Sequence, residues 1–262
     1  MTIFIKLGGS LITDKNTESS FRSENAVRLA DEMQQARMQK PDLKLVIGHG
    51  SGSFGHFAAS RYNTIAGVRT VEEWHGFADV ARAATDLNHL ITQVLWAAGL
   101  PVWRLQPSAS AICQDGKLVE MAVEPVHTAL NHGLVPLVHG DVALDRALGG
   151  TIISTETIFA YLARHLPVTT ILLLGEVPGV LDDSGNTIPI ITPSNVAKFQ
   201  PVLGGSAGTD VTGGMFSKVM GMLDLTRSIP GLRIRILDGR EAGVLESTLT
   251  GQAEPGTLIY TP

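Results

Sequence analysis

Short apolar runs rich in β-branched residues alternate with longer amphipathic stretches along most of the chain. A period of two indicates a strand and a period near 3.6 indicates a helix, so the pattern predicts repeated strand and helix units. The predicted strands are 3–5, 43–47, 102–105, 134–138, 169–174, 232–237 and 257–260. The predicted helices are 24–39, 71–98, 124–131, 156–165 and 214–227.

This alternation predicts an α/β fold with a mainly parallel sheet that helices cover on both faces. Residues 111–113 and 118–120 are two more extended pieces around Asp115-Gly116, a dipeptide typical of a hairpin turn. Ligands in parallel sheets bind at the carboxyl ends of the strands. Functional residues are therefore expected in the loops that directly follow strands.

Composition narrows the class of protein. Of 262 residues, 44% are hydrophobic and 17% are charged, which is typical of a globular chain. The formal net charge of -5 provides no attraction for nucleic acid or an anionic membrane. The single cysteine excludes an intrachain disulfide, and no apolar run approaches the ~20 residues of a membrane span. We expect a cytoplasmic protein with no nucleic-acid or membrane partner.

Glycine is in excess, with 28 residues against a usual ~7% of a chain. The first cluster, Gly8-Gly9-Ser10, follows the first strand, where adjacent glycines let backbone N–H groups approach an anion. Lys6 and Lys15 add positive charge. An ordinary tight turn with solvated lysines accounts for the same residues equally well.

The second cluster, Gly48 to His56, contains Gly50, Ser51 and Gly55. It has more glycines than a turn needs, and each costs chain entropy on folding. His56 stands where the next helix is expected to begin, which suits phosphate binding, although a capping or core histidine is the alternative. His49 is interpreted as a packing residue.

The third cluster, 208–214, includes Gly213 and Gly214 and opens a helix that carries Lys218. Phosphate binding fits it, and a capped helix with a surface lysine is the alternative. Asp141 and Glu156 follow strand ends, where carboxylates orient lysines or hold Mg²⁺, although Glu156 equally complements a helix dipole. Gly175 and Gly179 are positioned to line a nucleotide base or to form a plain turn.

Absent motifs also decide between chemistries. The chain has no Walker Gly-x-x-x-x-Gly-Lys-Ser/Thr and no dinucleotide fingerprint after its first strand. Its Gly-x-Ser-x-Gly match lies in the second glycine cluster, without a plausible triad order. Phosphoryl transfer therefore fits the residues better than acyl or hydride transfer.

Five motifs occur in order along nearly the whole chain: Lys6 to Ser10, Gly48 to His56, Gly140-Asp141, Asp210 to Met215 with Lys218, and Gly256 to Ile259. In these motifs the chain resembles the amino acid kinase superfamily, and Lys15 with the Ser-Phe-Gly-His ending of the second cluster resembles its isopentenyl phosphate kinases, whose relatives include fosfomycin kinases. The resemblance implies a three-layer αβα sandwich, Mg²⁺ and ATP, a phosphomonoester acceptor and a homodimer. It also implies one amino acid kinase-like domain, 1–262, with an acceptor lobe, 1–166, and a nucleotide lobe, 167–262.

The same resemblance implies a role for each candidate residue. Thr155-Glu156 stands where the family usually has Gly-Asp, and Glu176 stands where its nucleotide strand often ends in Asp. The implied catalytic residues are Lys6, Lys15, His56 and Lys218, with Glu156 and Asp141 organising the lysines. The implied nucleotide contacts are Gly8, Gly9, Ser10, Gly175, Gly179, Gly213 and Gly214. The expected acceptor contacts are Gly50, Ser51, Gly55, His56 and Gly150. Phe77 and Val80 are the candidate wall for the isoprenoid tail, although a helix that simply buries one face accounts for them as well.

The expected reaction is transfer of the γ-phosphoryl group of ATP to isopentenyl phosphate. Phosphate monoesters have a second pKa near ~6, so the acceptor needs no general base at neutral pH. In this scheme N–H groups of Gly8, Gly9, Gly50 and Gly55 face the phosphates. A kinase for fosfomycin or another small acid, and a non-catalytic nucleotide- or oxyanion-binding protein, are the alternatives.

Overall fold

The computed structural model describes residues 1–200 and 214–262, and within them an eight-stranded sheet forms the centre of the molecule. Its strand order is β10-β12-β11-β9-β1-β2-β6-β3, and every neighbouring pair is parallel except β11 with β12. This confirms the predicted mainly parallel sheet. The strands in chain order are β1 (Thr2–Leu7), β2 (Lys44–His49), β3 (Val102–Arg104), β4 (Ile112–Gln114), β5 (Lys117–Glu120), β6 (Val135–His139), β7 (Asp141–Asp145), β8 (Gly149–Ile153), β9 (Thr170–Gly175), β10 (Ile190–Ile191), β11 (Arg233–Asp238) and β12 (Thr257–Tyr260).

Helices cover both faces of this sheet. They are α1 (Gly9–Ile12), α2 (Ser23–Gln39), α3 (Gly52–Tyr62), α4 (Val71–Ala97), α5 (Glu124–Asn131), α6 (Thr155–Ala163), α7 (Gly214–Ser228) and α8 (Val244–Thr250). Three short 3₁₀ turns lie at Thr64–Ala66, Pro107–Ala109 and Val196–Phe199. None of the helices in the described ranges is long and apolar enough to cross a bilayer.

The two faces follow from the alternation of side chains along each strand. On one face, Phe4 and Val46 pack in a core with Phe159 of α6 and Leu223 of α7. On the opposite face, the neighbouring strand residues pack in a second core. That core contains Ile5, Ile47, Leu172, Leu29 of α2, Ile91 of α4 and Leu245 of α8. The three-layer αβα sandwich is confirmed.

A smaller sheet, in the order β5-β4-β7-β8, lies beside the main one. The predicted hairpin is present, with β4 and β5 antiparallel and both turn residues in the left-handed region, Asp115 at φ 52° and Gly116 at φ 73°. The sequence pattern did not predict β7 or β8. Both strands have five residues, and β8 begins with Gly149 and Gly150. Buried and more exposed positions alternate only weakly along them, so the sequence shows no clear period of two.

Candidate active site

Lys6, near the end of β1, forms an ion pair with Glu156 in the first turn of α6. The Lys6 side chain is 17% exposed and that of Glu156 is 36% exposed, so solvent is only partly excluded from the pair. Burial acts to raise the pKa of Glu156, but the charge of Lys6, assisted by Lys218, outweighs it and lowers that pKa below its ordinary value. The structure thus gathers a carboxylate and two ammonium groups from three distant segments.

The first two glycine clusters meet beside this pair. A Cβ added to Gly9 would lie 2.8 Å from both N and Cα of Gly52, and a Cβ on Gly50 would lie 3.0 Å from the Gly9 nitrogen. Thr13, which the sequence analysis missed, links the two loops. Its hydroxyl donates to the Gly9 carbonyl at 2.7 Å and accepts from the Ser53 N–H at 2.9 Å. The starts of α1 and α3 therefore lie side by side.

The N–H groups of Gly8, Gly50 and Gly55 do not face a ligand, which corrects the expectation from sequence. Each donates to a backbone carbonyl, because strand pairing or the first turn of α3 uses it. The acceptors are Leu174 at 2.8 Å, Leu7 at 3.0 Å and Ser51 at 3.1 Å respectively. These glycines instead permit close approach: a Cβ on Gly8 would lie 2.6 Å from the Leu174 oxygen.

Other N–H groups are available for an anion at the same place. Those of Gly9 and Ser10 in α1 and of Ser51 and Gly52 at the start of α3 have no acceptor among the residues that the structure describes. N–H groups at helix starts attract phosphate through their partial positive charge. The N–H groups of Gly9, Ser10, Ser51 and Gly52 are therefore the candidates for anion binding, and of these the sequence analysis had named only that of Gly9.

His56 lies one turn inside α3 and is exposed. The helix begins at Gly52 rather than at His56, so the expected boundary was wrong. Contacts with Thr13 and the Gly9 loop fix the glycine-rich first turn as helix, against the low helix propensity of glycine. His56 therefore follows Gly52 by four residues, on the same face of the helix.

His49, His139 and Asp141 form a buried polar cluster at the ends of β2 and β6. The two rings stack at 5.4 Å and 9°, and His49 Nε2 lies 3.0 Å from Asn88 Nδ2. Burial lowers the pKa of His49 to about 3 and that of His139 to about 4, so both rings are neutral. Asp141 accepts from the Ser108 N–H at 3.1 Å and forms no ion pair with a lysine in the described chain. The described residues thus show no contact between Asp141 and a lysine, and the role of Asp141 as a lysine organiser stays a prediction. The burial of His49 fits its interpretation as a packing residue.

A second ion pair joins the first glycine loop to the segment after β9. Arg22, which the sequence analysis did not single out, donates to Glu176 at 2.7 Å and to the Ser10 carbonyl at 3.1 Å. It therefore links the first glycine loop to the segment after β9. Its only sequence signal is a basic residue just before a predicted helix. Lys15 is exposed in the connection between α1 and α2.

The candidate nucleotide glycines lie at the end of β9 and beyond it. A Cβ on Gly175 would meet nothing within 4 Å, whereas one on Gly179, at φ 155°, would lie 2.6 Å from Thr187 and Thr257 side-chain atoms. Gly179 thus packs against the start of β12. Gly213 lies outside the described residues, Gly214 begins α7, and Lys218 follows one turn later.

The residues of the candidate apolar wall lie close together. A Cβ on Gly150 would lie 2.8 Å from two ring carbons of Phe77, so the ring packs directly on that glycine. Val80 is 3% exposed and packs with Ala58 of α3 and Val142 of β7. Phe77, Val80 and Gly150 therefore border the helix that carries His56.

The amino acid kinase family model matches residues 1–238. The chain is 33% identical to the isopentenyl phosphate kinase of Methanocaldococcus jannaschii, a match that spans 99% of this chain and 98% of that protein. It is 31% identical to the isopentenyl phosphate kinase of Methanothermobacter thermautotrophicus, over 98% of each. The isopentenyl phosphate kinase of Haloferax volcanii is 34% identical in a match that spans 85% of this chain and 88% of that protein.

Solved structures agree with the fold. A crystal structure of an isopentenyl phosphate kinase superposes with a TM-score of 0.83 at 27% identity, over 99% of this chain and 100% of that one. Carbamate kinase from Giardia lamblia superposes with a TM-score of 0.72 over 100% and 98% of the two chains, at 14% identity. At that level of identity, the match to carbamate kinase supports the fold and not the function.

Proposed function

The chain belongs to the amino acid kinase family, and from that premise we propose that it is an isopentenyl phosphate kinase, a small-molecule kinase that transfers the γ-phosphoryl group of ATP to isopentenyl phosphate. The products are isopentenyl diphosphate and ADP. The observation that carries the proposal is the meeting of two glycine loops beside the Lys6–Glu156 pair. The near full-length match to enzymes of that name selects the acceptor.

The chemistry needs positioning and charge neutralisation rather than a base. A terminal oxygen of the acceptor phosphate attacks the γ-phosphorus of ATP, the bond to the bridging oxygen breaks, and ADP leaves with that electron pair. The acceptor oxygen is already ionised at neutral pH, because its second pKa is near ~6. His49 and His139, which are neutral and buried, are therefore not required as bases.

The residues divide between the two phosphates. Lys6 bridges the transferred group and the acceptor oxygen, and Glu156 orients it. Lys15 and Lys218 hold the donor phosphates, and the N–H groups of α1 face the same side. The backbone contacts to the nucleotide are proposed at Gly8, Gly9, Ser10, Gly175, Gly179, Gly213 and Gly214, with Gly8 allowing close approach rather than donating its N–H.

The acceptor side lies on α3 and α4. His56 donates to the acceptor phosphate together with N–H groups at Ser51 and Gly52, while Gly50 and Gly55 let the loop approach closely. Phe77, Val80 and Gly150 form the wall against which the isoprenoid tail packs. The division into an acceptor lobe, 1–166, and a nucleotide lobe, 167–262, and assembly as a homodimer in the cytoplasm, are parts of this proposal.

Mg²⁺ is proposed to enter with ATP. Among the described residues no three His, Cys, Asp or Glu side chains gather into a site of their own. That fits Mg²⁺, which keeps several waters and binds through substrate phosphates with one or two carboxylates. When bound, it neutralises charge on the donor phosphates.

A screen of ATP consumption tests the function. The purified chain is assayed with isopentenyl phosphate, fosfomycin, an amino-acid carboxylate and no acceptor. Turnover that is largest with isopentenyl phosphate supports the proposal, and preference for fosfomycin supports the other kinase. ATP binding without transfer to any acceptor would indicate a binding protein.

A further inference from the structure

Thr155 precedes Glu156 and connects its helix to the central sheet. The Thr155 hydroxyl donates to the His49 carbonyl at 2.6 Å, and the residue is 1% exposed. The same carbonyl accepts from the Gly140 N–H at 3.1 Å. The first turn of α6 is thereby bonded to the carboxyl end of β2, the strand that leads into the second glycine loop.

The strand register places this bond next to Lys6. Lys6 of β1 pairs with Gly48 of β2, and a Cβ on Gly48 would lie 2.6 Å from the Thr155 methyl carbon. Thr155 therefore lies over the glycine beside Lys6. Because Glu156 is the next residue, its carboxylate reaches the Lys6 ammonium from there.

The helix cap does not provide this link. Ser154 caps α6 by accepting from the Thr157 N–H at 3.0 Å, a bond within the helix that leaves its position on the sheet open. A glutamate also has one more rotatable bond than an aspartate, so more side-chain entropy is lost when its carboxylate is held. A fixed backbone origin reduces the freedom that remains.

We propose that Thr155 is a positioning residue for phosphoryl transfer: its hydroxyl fixes the start of α6 on β2 so that Glu156 holds Lys6 at the reacting phosphate. The inference rests on the proposed function, because the effect of Thr155 is measured as kcat of the proposed reaction. It concerns a residue pair, Thr155-Glu156, that stands where the resemblance leads one to expect Gly-Asp.

Three variants test the hydroxyl. Thr155→Val removes the bond at nearly constant volume and is expected to lower kcat about tenfold, with both KM values within about twofold, because small misplacements of a catalytic group are costly. Thr155→Ser keeps the hydroxyl and is expected to retain at least about half of kcat. Thr157→Val makes the same chemical change two residues along α6 and is expected to leave kcat unchanged. Melting temperatures establish that each variant is folded.

Two outcomes would overturn the proposal. Full activity in Thr155→Val shows that the hydroxyl is dispensable, and a larger loss in Thr155→Ser than in Thr155→Val shows that packing of the methyl group, which valine keeps and serine lacks, is what matters. A double-mutant cycle with Glu156 distinguishes a positioning role from a merely structural one. If Thr155 acts through Glu156, then Thr155→Val has no further effect on kcat in the Glu156→Gln background.

A second readout does not depend on the acceptor. The rate at which an acetylating reagent labels Lys6, followed by peptide mass spectrometry, should rise several-fold in Thr155→Val and stay at the parent rate in Thr155→Ser and Thr157→Val. A parent that turns over no isopentenyl phosphate would overturn the proposed function. An unchanged labelling rate in Thr155→Val would overturn the role of Thr155.

Discussion

Gly9 and Gly52 touch backbone to backbone, so closely that a Cβ on Gly9 would lie 2.8 Å from both N and Cα of Gly52. This contact aligns the starts of two helices from separate βα units. The N–H groups at these two helix starts have no acceptor among the described residues, and the proposed function assigns them to the two phosphates. The position requires glycine because any side chain would separate the loops.

Gly9→Ala is therefore expected to lower kcat at least about a hundredfold, since N–H groups displaced by even about 1 Å lose their alignment. Steady-state kinetics measures the effect. Gly221→Ala is the matched control, because its Cβ meets nothing within 4 Å and the residue is exposed in α7. That variant should keep full activity and gain up to about 1 kcal/mol of stability from helix propensity. Normal kcat in Gly9→Ala would show that the loop contact is unimportant.

Glu156→Asp tests whether the longer carboxylate is needed for contact with Lys6. The helix start is fixed by Thr155, so a side chain shorter by one methylene cannot reach the ammonium as well. We expect kcat to fall about tenfold, with Glu156→Gln falling at least as far because it carries no charge. Glu124→Asp, in the first turn of α5, is the control. Activity in Glu156→Asp at or above that of the parent would refute the argument.

His56→Ala should lose most activity on phosphate acceptors, about a hundredfold in kcat/KM for isopentenyl phosphate, with KM for ATP little changed. The reason is that His56 lies on the same face of α3 as Gly52 and is proposed to donate to the acceptor phosphate. His127→Ala, which removes an exposed histidine from α5, should behave like the parent. Unchanged turnover of His56→Ala would remove the argument for a phosphate acceptor.

Phe77 and Val80 are expected to set the length of acceptor tail. Phe77→Ala opens space over Gly150 and should shift the preference in kcat/KM toward longer alkyl phosphates by about tenfold, while Val80→Phe should shift it toward shorter ones. Competition assays with alkyl phosphates of increasing length measure this. Val71→Ala, 73% exposed at the start of the same helix, should leave the preference alone. An unaltered preference in both variants would place the tail elsewhere.

The buried histidines make stability depend on pH. Burial holds the pKa of His49 at about 3 and of His139 at about 4, below the ordinary 6.5. Between about 6.5 and 4 the unfolded chain therefore binds protons that the folded chain does not. The free energy of unfolding should fall as the pH drops through this window, by about 1.4 kcal/mol per pH unit for each histidine. Burial raises the pKa of Asp141, which opposes this trend.

His139→Phe should weaken that dependence by about half. Neither ring nitrogen of His139 has a hydrogen-bond partner in the described structure, so a phenyl ring loses no bond and can keep the stack on His49. Urea titrations from pH 4.5 to 7.5, in steps of about 0.5, compare it with the parent and with His127→Gln. An equally steep fall in His139→Phe would show that the buried ring is not the group that takes up the proton.

Much of the fold was predictable because it depends on local periodicity. The helix Glu124–Asn131 and the strand Thr257–Tyr260 have the predicted limits, and the hairpin at Asp115-Gly116 follows from turn chemistry alone. The first turn of α3 was missed because tertiary contacts, through Thr13 and Gly9, hold a glycine-rich segment as helix.

The candidate site divides in the same way. The sequence by itself determined which residue types could bind phosphate. Glycine pairs after strands and nearby lysines indicate phosphate binding without any knowledge of tertiary contacts. It could not determine which N–H groups are left for a ligand, because strand pairing uses those of Gly8 and Gly50. Nor could it assign the carboxylate: Glu156 rather than Asp141 meets Lys6, because strand register and helix placement bring together groups 150 residues apart.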